Sequence, residues 1–184
     1  SIAAVINLDR SHKPNIKILS TVLLIWVLVQ GAFGYLTVSL KLWPQIVSLH
    51  LLFGFLTTTL LWLLYFKLVD EGTGLADQWR FTKKLKSLIS FASVLVFIQI
   101  FLGAWTSTNY AAFSCTDFPL CQGKVFPNMN FLGGFNFFQD IGPNYLGGQM
   151  DLESRTAIHF THRIGALVVS LFLSFLAWKI YKDN

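Results

Sequence analysis

Carboxylates are scarce in this chain, and the places that lack them matter most. Only nine of 184 residues are Asp or Glu, and none falls within the apolar stretches Ile18–Leu40, Gln45–Phe66, Ser87–Ser107 and Ala157–Trp178. A proton relay or general base built on an intramembrane carboxylate is therefore excluded for these segments. Cysteine is as sparse. Cys115 and Cys121 are the whole complement, too few for a disulfide-built scaffold or for a relay between two dithiol pairs. Charged residues make up 12% of the chain against 54% hydrophobic, with a mean hydropathy of +0.57, which is the composition of a membrane protein.

What is present fits that class. A helix needs about 20 apolar residues to cross the hydrocarbon core, and all four stretches reach that length. The sequence predicts an all-α integral membrane protein with four transmembrane helices, at residues 18–40, 45–66, 87–107 and 157–178. Lys and Arg set its orientation. Ten of them flank the membrane on one side (Arg10, Lys13, Lys17, Lys67, Arg80, Lys83, Lys84, Lys86, Lys179, Lys182), three on the other (Lys41, Lys124, Arg155). The richer side is expected to face the cytoplasm or matrix, with both termini there and the loop 108–156 outside it, in a bacterial inner or a mitochondrial inner membrane. The formal charge of +5 then reports topology and contact with the lipid bilayer, and gives no ground for nucleic-acid binding. The chain opens on Ser1 and has no signal-peptide pattern, which reads as a segment of a longer protein.

Both cysteines lie in the outer loop. An oxidising compartment favours a Cys115–Cys121 disulfide over two free thiols, and closing so short a ring stabilises by roughly 2 to 2.5 kcal/mol, enough to shape a loop. Around the pair, Phe113, Phe118, Phe126, Phe131, Phe135, Phe137, Phe138 and Tyr145 alternate with glycines and prolines. Such a loop is too apolar for a free linker and is expected to fold onto the membrane surface or over a ligand pocket, or to serve as an aromatic belt.

The first and third stretches share a spacing: Gln30, Gly34 and Thr37, then Gln99, Gly103 and Thr106. Each is followed by a helix with a histidine near its outer end, His50 with Gly54 behind it and His162 with Gly165 behind it. Two helix pairs of one design follow, the second with a long loop inserted. Gln and Thr are expected to bond across the interface, and glycine to admit close approach or a flat ligand. His50 and His162 each lie about five residues into an inward-running stretch, so both imidazoles fall about 8 Å below the outer surface.

An imidazole and the neighbouring Arg163 guanidinium are costly in lipid unless something takes them up. Imidazole is an axial ligand for heme iron, and a cation suits heme propionates. The alternative is an interface histidine bonded to a carbonyl, with Arg163 snorkelling outward. His159, one turn before His162, suits a pocket-lining or hydrogen-bonding role better than ligation. His12, in the N-terminal arm, is expected to be solvated.

Three motifs carry a resemblance: Cys115-Thr-Asp-Phe-Pro-Leu-Cys121-Gln-Gly123, Ile141-Gly-Pro-Asn-Tyr-Leu-Gly-Gly-Gln149 and Arg155-Thr-Ala-Ile-His-Phe-Thr-His-Arg163-Ile-Gly165. The chain resembles the heme A synthase family. The resemblance implies an eight-helix pseudo-symmetric double bundle, each half offering two histidines to one heme. Residues 1–86 would end the first half and supply the cytoplasmic connection; residues 87–184 would begin the second. His50 would then be the second histidine of the first half and His162 the first of the second half. Implied cofactors are heme b in the second half, with heme O as substrate and heme A as product. The implied reaction oxidises a heme methyl group to a formyl group. A heme O synthase and an electron donor are the implied partners, and pairing into a homo-oligomer would let halves complement one another.

The chain departs from the family at both ends, where the outer helices with the remaining histidines and a candidate catalytic glutamate would lie. The second-half counterpart of that glutamate is His159, which does not replace a carboxylate. No catalytic residue is assigned, and the segment alone is expected to be inactive. The rival readings are a b-type cytochrome that only passes electrons and, from another class, a membrane thiol oxidase.

Overall fold

The computed structural model describes residues 2–8, 12–74 and 82–183. Arg10 and Arg80, both used in the charge count, lie outside them. A short helix α1 (Ile2–Leu8) precedes four long ones, α2 (Pro14–Ser39), α3 (Pro44–Thr73), α4 (Lys83–Thr108) and α6 (Leu152–Asp183). Between α4 and α6 come a 3₁₀ turn (Ala111–Ser114) and the one-turn helix α5 (Phe131–Gly134). The four long helices are each apolar enough to cross a membrane, so the chain is an all-α membrane protein.

Local chemistry sets the helix ends. Pro14 and Pro44 open α2 and α3 at the position where a missing N–H costs nothing. Thr82 caps α4 by accepting from Leu85 N at 3.2 Å, and Asp151 caps α6 by accepting from Ser154 N at 2.7 Å. Gly74 ends α3 in the left-handed region, at φ 63°, with its N–H on Asp70 O. The helices outrun the apolar stretches because a cap, not the last apolar residue, ends a helix, and polar turns beyond the hydrocarbon keep their hydrogen bonds. Helix α6 therefore starts at Leu152, well before the predicted Ala157.

Helix α2 packs on α3 and α4 on α6, while α3 against α4 joins the two pairs. Much of the apolar surface faces outward, including Ile25, Leu28, Trp62, Phe97 and Leu171. A soluble protein would hide it; lipid removes the need. At one end Ile6 of α1 packs with Ile16, Leu23 and Leu64. His12 is not simply solvated, as the sequence suggested: its Nδ1 lies 2.8 Å from Glu71 Oε2, while Lys13 N donates to Glu71 Oε1. A carboxylate at the far end of α3 was not visible as a partner from 59 residues away.

At the other end the loop folds back onto the helices. Trp105, Ala111 and Ile158 are buried together under Phe135 and Met150, and the Trp105 indole donates to Gly134 O at 2.8 Å. A side chain at Gly134 would lie 2.6 Å from Ser154 O, so only glycine lets α5 sit this close to α6. The loop also reaches the other pair. Tyr145 N donates to Lys41 O, the Trp43 indole to Gln139 O and the Gln45 amide to Phe137 O. One cover thus spans the ends of both helix pairs.

Candidate cofactor site

The sequence repeat is a repeat of contacts. Gln30 Nε2 donates to His50 O at 3.0 Å, and a Cβ on Gly34 would lie 3.1 Å from His50 Cε1. In the second pair Gln99 Nε2 donates to His162 O at 3.0 Å, and a Cβ on Gly103 would lie 3.2 Å from His162 Cε1. Gly54 and Gly165 back the two glutamines, with the Gln99 amide oxygen tight against Gly165. Each imidazole therefore packs its Cε1 corner against a glycine of the preceding helix, and each histidine's backbone is tied to that helix by a glutamine. The threonines differ from expectation. Thr37 donates to Gly34 O and Thr106 to Leu102 O, within their own helices, because a hydroxyl one turn along reaches its own carbonyl first.

The ring nitrogens fit an axial ligand. Among the described residues no hydrogen bond involves Nε2 of His50 or of His162, and neither atom is among the buried polar atoms left without a partner. Both Nε2 atoms are thus open, and this is a nitrogen through which imidazole binds metals. His50 Nδ1 is buried without a partner, whereas His162 Nδ1 is 2.9 Å from Gln99 Nε2. His159 differs from both, because its Nε2 accepts from Arg163 Nε at 3.2 Å. That lone pair is taken.

Both sites sit at one level relative to their partner helices: Gly34 is five residues before the end of α2 at Ser39, and Gly103 five before the end of α4 at Thr108. Counted from its own start, His162 is deeper in its helix than His50, since the first turn of α6 stands above the histidine layer in the loop. The rings are not turned toward one another. Leu52, Phe55, Leu56 and Thr59 of α3 line a recess of about 540 Å³ shared with α4 and α6. At 100° per residue these positions centre roughly 180° from His50, which faces α2.

Arg163 is occupied. Its Nη1 donates to Asp117 O and Leu120 O, its Nη2 to Cys115 O, all at 2.9 Å, and the guanidinium lies 5.9 Å from the Phe118 ring centre. These acceptors belong to the ring closed by the Cys115–Cys121 disulfide, which the structure contains. Asp117 completes the ring from the other side, its carboxylate accepting from Gln122 N at 2.7 Å and Gly123 N at 2.8 Å. The Gly123 N–H foremost, then that of Gln122, hold its carboxyl below the usual carboxylate range. Gln122 Nε2 donates to Ser114 O and Thr156 Oγ1, pinning the ring to α6 a second time. Sequence reasoning placed Arg163 toward propionates and did not single out Asp117 or Gln122. Backbone carbonyls occur at every residue, so a guanidinium that binds them leaves no complementary charge to find.

Comparison with known proteins places this arrangement. The sequence profile of a family described as cytochrome oxidase assembly protein, COX15-CtaA, matches residues 1–184. The chain belongs to the COX15-CtaA family. It is 37% identical over 168 residues to a heme A synthase of Shewanella oneidensis, covering 90% of this chain and 49% of that protein. A heme A synthase of Shouchella clausii is 25% identical over 172 residues, covering 92% of this chain and 50% of that one. The chain therefore spans about half the length of these curated relatives.

Proposed function

We propose that this chain is the central part of a heme A synthase, a membrane oxidoreductase that converts the methyl group of heme O to the formyl group of heme A. The observation that carries the reading is the doubled site: two histidines, each on a glycine, each with an open Nε2, under one loop, in a chain of this family. His50 and His162 would be axial ligands in successive halves of an eight-helix double bundle, residues 1–86 closing the first half and residues 87–184 opening the second. Heme b would occupy the second-half site, and heme O, then heme A, the first. The heme and oxygen supply the oxidation. The protein ties each histidine's backbone to the preceding helix through Gln30 or Gln99, presents Nε2, and covers the site. His159 lines the pocket as a hydrogen-bond acceptor for Arg163, whose guanidinium holds the cover.

The loop 108–156 faces away from the cytoplasm or matrix, and a heme O synthase and an electron donor meet the protein there or in the membrane. Expression of the complete reading frame in a host that accumulates heme O tests the function. Pigment extracts are expected to contain heme A. Folded, heme-loaded protein that yields none would instead favour a b-type cytochrome.

A further inference from the structure

The two histidine sites differ at Nδ1. In the first pair Gln30 Nε2 donates to His50 O at 3.0 Å, and His50 Nδ1 is buried without a partner among the described residues. In the second, Gln99 Nε2 lies 3.0 Å from His162 O and also 2.9 Å from His162 Nδ1. The two amides are turned differently as well. The Gln30 nitrogen faces Gly54, 3.3 Å from a Cβ placed there, whereas in the second pair it is the Gln99 oxygen that faces Gly165. That oxygen is buried without a hydrogen-bond partner.

Chemistry fixes which end of the Gln99 amide faces the ring. His162 O only accepts, so the amide atom beside it is the NH2; an oxygen there would set two acceptors against each other. One hydrogen of that NH2 serves the carbonyl and the other points to Nδ1. A neutral imidazole that accepts at Nδ1 carries its proton on Nε2. An axial ligand needs the reverse, a free lone pair on Nε2 and the proton on Nδ1. Passing from one form to the other takes one proton from Nε2 and adds one at Nδ1, with no change in charge, and leaves Nδ1–H facing an NH2. Turning the amide over relieves that conflict. Oε1 then accepts from Nδ1–H, and the NH2 moves beside Gly165, where no side chain competes for the space. Either orientation leaves one end of the amide without a partner, so the amide alone has little preference. His162 O, inside α6, keeps its bond to the N–H four residues on.

We infer that Gln99 is a positioning residue for His162: its amide sets the imidazole tautomer and turns over to accept from Nδ1–H when Nε2 takes an axial bond, whereas Gln30 only ties α3 to α2. The inference rests on the heme-ligand reading above. An acceptor at Nδ1 makes an imidazole a stronger donor to a metal and favours the oxidised iron. Redox titration and EPR of the complete, heme-loaded protein test it. If both hemes stay in His162→Ala, the ligand reading fails and the inference with it. If the second-half heme is lost there, Gln99→Leu is expected to raise that heme's midpoint potential and shift its low-spin g values. Gln99→Glu, whose carboxyl supplies an acceptor, should hold the potential at or below that of the wild type. Gln30→Leu should leave the potential of the first-half heme unchanged. Equal shifts from Gln30→Leu and Gln99→Leu, or no shift from either, would overturn the inference, since the tie between helices is common to both glutamines. Should Gln99→Leu not load heme, Gln99→Asn, whose amide falls one methylene short of the ring, takes its place.

Discussion

A guanidinium near the end of an apolar helix must find acceptors, and Arg163 finds three carbonyls of one disulfide-closed ring. Charge-assisted bonds of this kind contribute about 1.5 to 3 kcal/mol each when the groups are shielded from water, so the ring is held to α6 by more than its own closure. Arg163→Gln should release it. Its disulfide is then expected to be reduced by dithiothreitol several-fold faster, measured by thiol alkylation, with Arg163→Lys intermediate because a point charge cannot reach three divergent carbonyls. An unchanged reduction rate in Arg163→Gln would mean that the ring holds its shape without the clamp. Asp117 adds a pH dependence. Its pKa is lowered in the fold from an ordinary 3.8, so its contribution is present above that value and is lost as pH falls through the lower folded value. Loop protection in hydrogen exchange should therefore drop below about pH 4 in the wild type and be pH-independent there in Asp117→Asn.

The helix pair is the element that repeats, and its glycines can be tested directly. A methyl group at Gly34 or Gly103 would press on the imidazole at 3.1 or 3.2 Å, closer than ordinary contact, and the ring must tilt or the helices part. Overpacking of this kind costs about 1 to 3 kcal/mol. Gly34→Ala in the complete protein should disturb the His50 site and leave the His162 site intact, and Gly103→Ala the reverse. Optical and EPR spectra of the hemes proposed for the two sites are the readout, and equal disturbance of both by either variant would argue against two separate pairs. Much of this was legible in sequence, because membrane helices announce themselves by length and polarity and the Gln-Gly-Thr spacing carried the symmetry. Three things were not. Helix α1 is too short for a periodic signal; the first turn of α6 is polar and depends on the Asp151 cap; and the threonines chose their own helices. In each case the deciding contact was one hydrogen bond or one small packing patch, which pattern alone does not resolve.

For the whole molecule, the proposed heme ligation raises the question of how many irons the two histidines would serve. Bis-imidazole ligation needs the two coordinating nitrogens on opposite sides of one iron, about 4 Å apart. His50 lies against Gly34 of α2, on the α3 face turned from α4 and α6, and His162 lies against Gly103 of α4. Helix rotation would have to break the Gln30 and Gln99 bonds to bring the rings to a common centre. The prediction is that each histidine serves its own heme and that each heme needs a second ligand from outside this chain. Residues 1–184 titrated with heme should then give weak, mixed-coordination spectra, with His50→Ala and His162→Ala each removing a separate part of the binding. The complete protein should instead give a six-coordinate, low-spin second-half heme lost in His162→Ala and kept in His50→Ala. A tight, low-spin species on residues 1–184 alone, abolished equally by either substitution, would show the two histidines on a single iron, and the two-site arrangement would have to be abandoned.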